Sequence, residues 1–142
     1  MSGPSVDERD DGEVRIVIAD DHALVRAGLR MMLEDEPDME VVGEAADGAQ
    51  ALGLALALAP TVVLADISMP PPDGIELARR LSRDLPGVKT IMVTMHEDAD
   101  MLRDALAAGA AGYVAKRSGP DEMLRAIRAV AAGEIYIDRN LR

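Results

Sequence analysis

The amino-acid sequence predicts an α/β fold: a doubly wound sheet of five parallel strands with helices on both of its faces. Two observations carry this prediction. Five short, nearly continuous apolar runs alternate with helical patterns along the chain, and the connections between them are short. Strands buried on both faces have such continuous apolar runs, and right-handed crossovers place the intervening helices on either side of the sheet. The common order for five such strands is 2-1-3-4-5.

Composition narrows the functions that the chain can have. A length of 142 residues suits one domain, and the only aromatic residues are Tyr113 and Tyr136, so the core is aliphatic. A net charge of -11 argues against this segment itself binding DNA. The absence of cysteine excludes disulfides and thiolate metal sites and fits a cytoplasmic protein. No apolar run approaches the length of a membrane span, so we expect no membrane contact.

The first strand and helix follow an N-terminal leader. Met1 to Glu13 has no hydrophobic period and is expected to be disordered. Arg15–Ala19 is a compact β-branched run that predicts the first strand. A helical pattern continues from His22 to Glu36, with Asp21 as the expected N-cap and Pro37 just past the end.

The middle of the chain contains two more strands, Glu40–Glu44 and Val62–Ala65. Each is followed by a capping-box pattern, in which an acid precedes a Glu or Gln by three residues, and a proline stops each of the two helices. The residues are Asp47 and Gln50 with Pro60 for the first helix, and Asp73 and Glu76 with Pro86 for the second.

The last third of the chain predicts strands four and five at Thr90–Val93 and Gly112–Ala115, with a helix over Glu97–Ala108 between them. Ser118–Asp121 is expected to cap the last helix. Ile135–Ile137 is expected to form a short extended tail after that helix.

Polar side chains stand at the carboxyl ends of four of the predicted strands. The predicted order places Asp20 and Asp21, after the first strand, beside Asp66, after the third. Carboxylates this close repel one another, and a hard divalent cation such as Mg²⁺ relieves the repulsion. Thr94 and Lys116 end two further strands at the same edge, where a hydroxyl and an ammonium can bind the oxygens of a phosphoryl group on Asp66.

Each of these residues has a simpler interpretation when it is taken alone. A single Asp after a strand is most often a helix cap. A Lys at the end of a strand is commonly solvated, and Thr is frequent in strands because of its β propensity. A functional site is favoured because one edge of the sheet combines three acids with a hydroxyl and an ammonium.

Four stretches of the sequence together resemble the receiver domain of a two-component response regulator: IVIADDHALVRAGL, VLADISMPPPDG, MVTMHED and GYVAKRS. The resemblance implies a flavodoxin-like fold and a receiver domain over residues 14–137, with residues 138–142 as the start of a linker. The first stretch and the Ala-Ala-Gly-Glu-Ile ending resemble the subfamily that carries a LuxR-type helix-turn-helix DNA-binding domain after the receiver.

The resemblance implies a role for each acid of the site. Asp66 accepts a phosphoryl group from a histidine kinase. Asp21 binds Mg²⁺ or Mn²⁺ directly, Asp20 assists, and the main-chain carbonyl of Ser68 completes the protein ligands. In this interpretation the chain is a phosphoacceptor that assists its own phosphorylation and dephosphorylation, and it is not an enzyme.

The resemblance also assigns the remaining residues of the edge. Lys116 pairs with the phosphoryl group, Thr94 moves toward it, and Tyr113 follows Thr94 inward. The sequence departs from the family pattern at Pro72, where Met or Leu is frequent, and this proline stiffens the loop after Asp66.

Two other functions fit the sequence less well. A phosphohydrolase with an aspartyl nucleophile typically has a second Asp two residues later, where this chain has Ser68. A flavin or nucleotide carrier needs a Gly-rich or Ser/Thr-rich phosphate loop, and the loop after the first strand is Asp-Asp-His instead. For the output, we expect DNA binding only through a C-terminal domain outside this chain, with a homodimer as a further possibility. The alternative is a stand-alone receiver that acts through protein contacts.

Overall fold

The structure is a computed structural model that describes residues 13–95 and 98–141. Within these ranges it contains one sheet of six parallel strands in the order β2-β1-β3-β4-β5-β6. The strands are β1 (Val14–Ala19), β2 (Met39–Ala45), β3 (Val62–Asp66), β4 (Lys89–Thr94), β5 (Gly112–Ala115) and β6 (Tyr136–Ile137). The predicted order 2-1-3-4-5 is confirmed. The expected extended tail becomes a sixth strand because Tyr136 and Ile137 pair in parallel with β5.

Helices cover both faces of the sheet, as the sequence predicts. They are α1 (Ala23–Glu34), α2 (Gly48–Leu58), α3 (Gly74–Asp84), α4 (Ala99–Ala107) and α5 (Pro120–Ala131), with short 3₁₀ turns at Lys116–Ser118 and Arg139–Leu141. The apolar core on one face includes residues of α2, α3 and α4, and the core on the other face includes residues of α1 and α5. None of the described helices is both long and apolar enough to cross a membrane.

Two of the predicted helix caps are present. The carboxylate of Asp47 accepts a hydrogen bond from the backbone N–H of Gln50 at 2.8 Å, at the start of α2. The carboxylate of Asp73 accepts one from the backbone N–H of Glu76 at 2.9 Å, at the start of α3. Each cap satisfies a backbone donor that the first turn of a helix otherwise leaves without a partner.

Of the two other predicted caps, Asp21 is wrong, and the cap of the last helix lies within the predicted stretch Ser118–Asp121. His22, not Asp21, occupies the N-cap position of α1, and no side chain caps that helix. The backbone N–H of His22 donates instead to the carboxylate of Asp20, at 2.8 Å. The carboxylate of Asp21 lies 3.1 Å from Nδ1 of His22 instead. Gly119 is the N-cap of α5 and, having no side chain, makes no side-chain bond there; the hydroxyl of the preceding Ser118 donates to Asp138.

Two predictions fall wholly or partly outside the described residues. The expected leader, Met1 to Glu13, lies outside them except for its last residue, and so do residues 96–97, where the predicted fourth helix was to begin. The described part of that helix starts at Ala99, with the carboxylate of Asp98 accepting from the backbone N–H of Asp100.

The chain remains folded beyond β6. The carboxylate of Glu122 accepts hydrogen bonds from the hydroxyl of Tyr136 at 2.6 Å and from the backbone N–H of Arg139 at 2.8 Å. The side chain of Asp138 is buried as well. The first residues of the expected linker therefore pack against the domain, and the boundary at Ile137 stays a prediction.

The proline loop after β3 packs against the start of α2. The backbone N–H of Gly48 donates to the carbonyl of Pro70 at 3.3 Å. A Cβ atom at Gly48 would lie 1.8 Å from the carbonyl oxygen of Pro72, and the peptide bond between Pro71 and Pro72 is cis. Glycine is required at residue 48 because the backbone of the proline loop comes too close to leave room for a side chain. Pro72, the departure from the family pattern, is the residue that makes this approach.

This close approach predicts opposite effects for two glycines of α2. Gly48→Ala should lower the free energy of unfolding by about 2 kcal/mol or more, since backbone must move to admit the methyl group. Gly53→Ala, on the same helix with nothing within 4 Å of the added Cβ, should raise it by about 0.5–1 kcal/mol. Urea denaturation of both variants measures the difference, and a stable Gly48→Ala protein would contradict the described packing.

Candidate functional site

Parallel pairing brings the carboxyl ends of four strands to one edge of the sheet. Ala19 of β1 is level with Ala65 of β3, so Asp20 and Asp66 follow at the same height. On the other side of β3, Thr94 of β4 is level with Ala115 of β5. The structure therefore confirms that the strands carrying these polar residues end at the same edge of the sheet.

The acids after β1 and β3 form a tight cluster. One ligand atom from each of Asp20, Asp21, His22 and Asp66 lies within 4.8 Å of the others. Asp20 and Asp66 are buried, with 2% and 6% of their surface exposed, whereas Asp21 and His22 are exposed. Buried carboxylates this close need opposite charge nearby, because neither water nor distance relieves their repulsion.

Lys116 supplies that charge from the end of β5. Its Nζ donates to Oδ2 of Asp20 at 2.9 Å and to Oδ2 of Asp66 at 3.3 Å. Burial lowers the pKa of Lys116, but the hydrogen bond that it donates to Asp20 and the charges of Asp66 and Asp20 outweigh burial, so the pKa lies above its ordinary value. The ammonium therefore stays charged between the two carboxylates at neutral pH.

Main-chain groups also hold the acids in place. The backbone N–H of Ser68 donates to Oδ1 of Asp66 at 3.1 Å, so both carboxylate oxygens of Asp66 have a donor. The guanidinium of Arg26 donates to the main-chain carbonyl of Asp20 at 2.6 Å and forms an ion pair with Glu44 at 3.4 Å. The role of the Ser68 carbonyl as a metal ligand stays a prediction.

Sequence reasoning missed two neighbours of the acids. Nδ1 of His22 lies 3.1 Å from Oδ1 of Asp20 and 3.1 Å from Oδ1 of Asp21, and its side chain is 67% exposed. Its position next to the acid pair was the available signal. Nothing in the spacing of Arg26 distinguished it from other polar residues on the solvent side of α1.

Thr94 and Tyr113 form a buried pair behind the acids. Thr94 has no exposed surface and Tyr113 has 1%, and the two side chains share a hydrogen bond. Burial raises the pKa of the Tyr113 phenol, the negative charge of Asp98 raises it further, and the bond with Thr94 only partly opposes this. Tyr113 therefore lies inside in this structure, and its hydroxyl is neutral.

The site carries more negative than positive charge. Asp20, Asp21 and Asp66 each bring one carboxylate, and Lys116 is the ammonium that bonds to two of them. This set of hard oxygen donors with excess negative charge fits a small divalent cation, and Mg²⁺ prefers such ligands. The residues present are therefore compatible with the metal that the sequence predicts.

Comparison with known proteins shows the family to which the chain is similar. A family model for the response regulator receiver domain matches residues 16–128. The oxygen regulatory protein NreC of Staphylococcus epidermidis is 42% identical over 129 residues, which cover 90% of this chain and 59% of that protein. This chain thus spans somewhat more than half the length of that relative.

Two solved structures have the same architecture. A LuxR-family two-component response regulator from Aurantimonas sp. SI85-9A1 superposes with a TM-score of 0.87 at 36% identity, covering 91% of this chain and 92% of that one. The isolated REC domain of RcsB from Salmonella enterica serovar Typhimurium, solved with the phosphomimetic BeF3-, gives a TM-score of 0.83 at 30% identity, covering 91% and 96%.

The excess negative charge predicts that a substitution at Asp21 stabilises the protein. In EDTA, Asp21→Asn should raise the free energy of unfolding by about 1 kcal/mol, because it removes a charge from repulsion with Asp20 and Asp66. Millimolar Mg²⁺ should cancel this advantage, since a cation that binds at the three carboxylates would stabilise the wild type more than the variant. Urea denaturation with and without Mg²⁺ measures both effects.

The control for this prediction is Glu40→Gln, which neutralises an exposed acid of β2 away from the cluster. It should change stability little under either condition. An Asp21→Asn protein that is no more stable than the wild type in EDTA would show that the acids do not repel one another.

Proposed function

The chain belongs to the response regulator receiver domain family, and we propose that it is a phosphorylation-controlled switch in which Asp66 accepts the phosphoryl group. One observation carries this proposal. The buried carboxylate of Asp66 lies at a strand end beside two further aspartates, with the ammonium of Lys116 bonded to it at 3.3 Å. A structural ion pair needs no third carboxylate at the same edge, whereas a phosphoryl site with a divalent cation does.

The donor is the phosphohistidine of a histidine kinase. A carboxylate oxygen of Asp66 attacks the phosphorus in line with the leaving imidazole. The new bond is the oxygen–phosphorus bond of an acyl phosphate, and the bond that breaks joins phosphorus to the ring nitrogen. The electron pair of that bond stays with the imidazole, which then takes up a proton from solvent.

Three neighbours support the reaction. The amide of Ser68 holds one oxygen of Asp66, and so fixes the orientation of the carboxylate for attack. Lys116, already bonded to Asp66 and Asp20, follows the developing negative charge onto the phosphoryl oxygens. The hydroxyl of Thr94 lies at the end of the neighbouring strand and donates to the same oxygens.

Mg²⁺ or Mn²⁺ would be held by three carboxylates and one main-chain carbonyl, those of Asp20, Asp21, Asp66 and Ser68. When bound, the cation neutralises negative charge on the carboxylates and on the phosphoryl oxygens. The same groups allow the chain to assist the hydrolysis of its own acyl phosphate. The chain therefore acts as a phosphoacceptor and has no separate substrate to turn over.

The readout is a change of partner at Thr94. Its side chain shares a hydrogen bond with Tyr113, which is already buried. Once Thr94 turns to the phosphoryl oxygens, Tyr113 follows toward the position that Thr94 leaves. A local charge event thereby shifts packing at β4 and β5, which is the usual logic of such switches.

The output of the switch is the step after phosphorylation. We propose that the full protein is a cytoplasmic regulator of transcription, because a relative that it matches is named a LuxR-family response regulator. DNA is then bound by a C-terminal domain, and the receiver itself forms a homodimer when phosphorylated. A stand-alone receiver that acts through protein contacts is the alternative, and the complete reading frame distinguishes the two.

The phosphoacceptor is tested by intact-mass analysis after incubation with phosphoramidate and Mg²⁺. The wild type should gain one phosphoryl group, and Asp66→Asn should gain none, because the amide is not a nucleophile toward phosphorus. Asp73→Asn is the matched control: its carboxylate caps α3 just after the same loop, and this variant should gain the group as the wild type does.

Two results would count against the assignment. One is a wild type without an adduct when Mg²⁺ is present in excess. The other is an adduct that persists in Asp66→Asn, which would place the phosphoryl group on another residue.

A further inference from the structure

A buried carboxylate near the C-terminus brackets the turn that carries Lys116. Asp138 has no exposed surface. Its Oδ2 accepts a hydrogen bond from the backbone N–H of Ala115 at 2.9 Å and another from the hydroxyl of Ser118. These donors stand one residue before Lys116 and two residues after it.

The turn that carries Lys116 is short. It is a 3₁₀ segment of three residues, Lys116–Ser118, and short 3₁₀ pieces have weaker hydrogen-bond geometry than an α-helix. It ends at Gly119, where φ is +91°, a conformation that glycine adopts without cost. The position of the Lys116 main chain therefore depends on contacts from outside the turn, and Asp138 supplies two of them.

Asp138 is itself fixed on its own side. Its backbone N–H donates to the carbonyl of Tyr113 at 2.8 Å, and its Oδ1 accepts from the backbone N–H of Asn140 at 2.8 Å. The carboxylate thus joins the segment after β6 to both flanks of Lys116. Because Asp138 and Ala115 are both buried, a shift of the carboxylate moves the start of the turn with it.

We propose that Asp138 is a positioning residue for Lys116, so that the segment after β6 forms part of the support of the phosphoryl site. This rests on the proposed function of Asp66 and Lys116. Lys116 bonds to Asp20 and Asp66 at 2.9 and 3.3 Å, and a displacement of its main chain lengthens both contacts.

A second buried acid, Glu122, allows two effects to be separated: positioning of Lys116, and attachment of the C-terminal segment to the domain. Glu122 holds the same C-terminal segment, through Tyr136 and Arg139. Its hydrogen bonds go to that segment and not to Ala115 or Ser118. A substitution at Glu122 therefore weakens the attachment of the segment but removes neither of the hydrogen bonds that Asp138 accepts from Ala115 and Ser118.

The experiment measures the initial rate of phosphorylation by phosphoramidate at saturating Mg²⁺, on the whole chain. Asp138→Ala should lower the rate by about tenfold, as expected when a catalytic group is held less well in place. Asp138→Asn should lose less of the rate than Asp138→Ala, since its amide oxygen can accept from Ala115 and Ser118 as Oδ2 does, while its amide nitrogen gives up only the bond with Asn140. Glu122→Gln, the matched control, should change the rate by less than about twofold.

A double-mutant cycle shows whether Asp138 acts through Lys116. In a Lys116→Ala background, adding Asp138→Ala should change the rate by less than about twofold, because there is no ammonium left to position. Equal losses in both backgrounds, or a loss in Glu122→Gln as large as in Asp138→Ala, overturn the proposal.

Urea denaturation of each variant shows that it is folded at the assay temperature. If Asp138→Ala does not fold, Ser118→Ala takes its place in the cycle, since it removes one of the two bonds to the turn; an unchanged rate in that variant overturns the proposal. The result for the wild type separates the two claims. If the wild type gains no phosphoryl group, the proposed function is refuted. If the wild type is phosphorylated and Asp138→Ala is phosphorylated at the same rate, only the positioning role is refuted.

Discussion

An ammonium bonded to two buried carboxylates is the interaction on which the rest of the molecule depends. Removing three charged groups from water costs several kcal/mol for each, and the sheet offsets this by setting Asp20, Asp66 and Lys116 at the ends of three strands within hydrogen-bond distance. The strand order makes these hydrogen bonds possible. β1 and β5 flank the β3–β4 pair, so Lys116 at the end of β5 extends across the edge of the sheet toward Asp66 and Asp20. The aliphatic cores on both faces hold those strands in register.

The sequence predicts the strand order and the meeting of acids because both follow from repeating patterns. Apolar runs alternate with helical periods, and parallel strands end at one edge, so Asp20 and Asp66 meet without knowledge of any side-chain contact. Asp21 as an N-cap was wrong because capping competes with other local contacts, and spacing alone does not rank them. The bracket by Asp138 was not predicted because it joins residues 23 positions apart in sequence, and no local pattern encodes such a pair.

The buried acid Glu122 of the C-terminal region responds to pH in a definable direction. Burial raises the pKa of Glu122, but the hydrogen bonds from Tyr136 and Arg139 lower it more, so it lies below its ordinary value. A carboxyl with a lowered pKa in the folded state contributes stability above the unfolded value of about 4.3, and this contribution is lost as the pH falls through the folded value. Acid therefore weakens the attachment of the segment after β6 through Glu122.

The distribution of the aromatic rings has a consequence for spectroscopy. The chain has no tryptophan and two tyrosines, and these lie in the cores on opposite faces of the sheet. Near-ultraviolet circular dichroism reports the asymmetric surroundings of such rings, so the whole signal comes from one ring bonded to Thr94 and one bonded to Glu122. Replacing either tyrosine by phenylalanine separates the two contributions, and Tyr113 then serves as an optical probe of the strand-end edge without any added label.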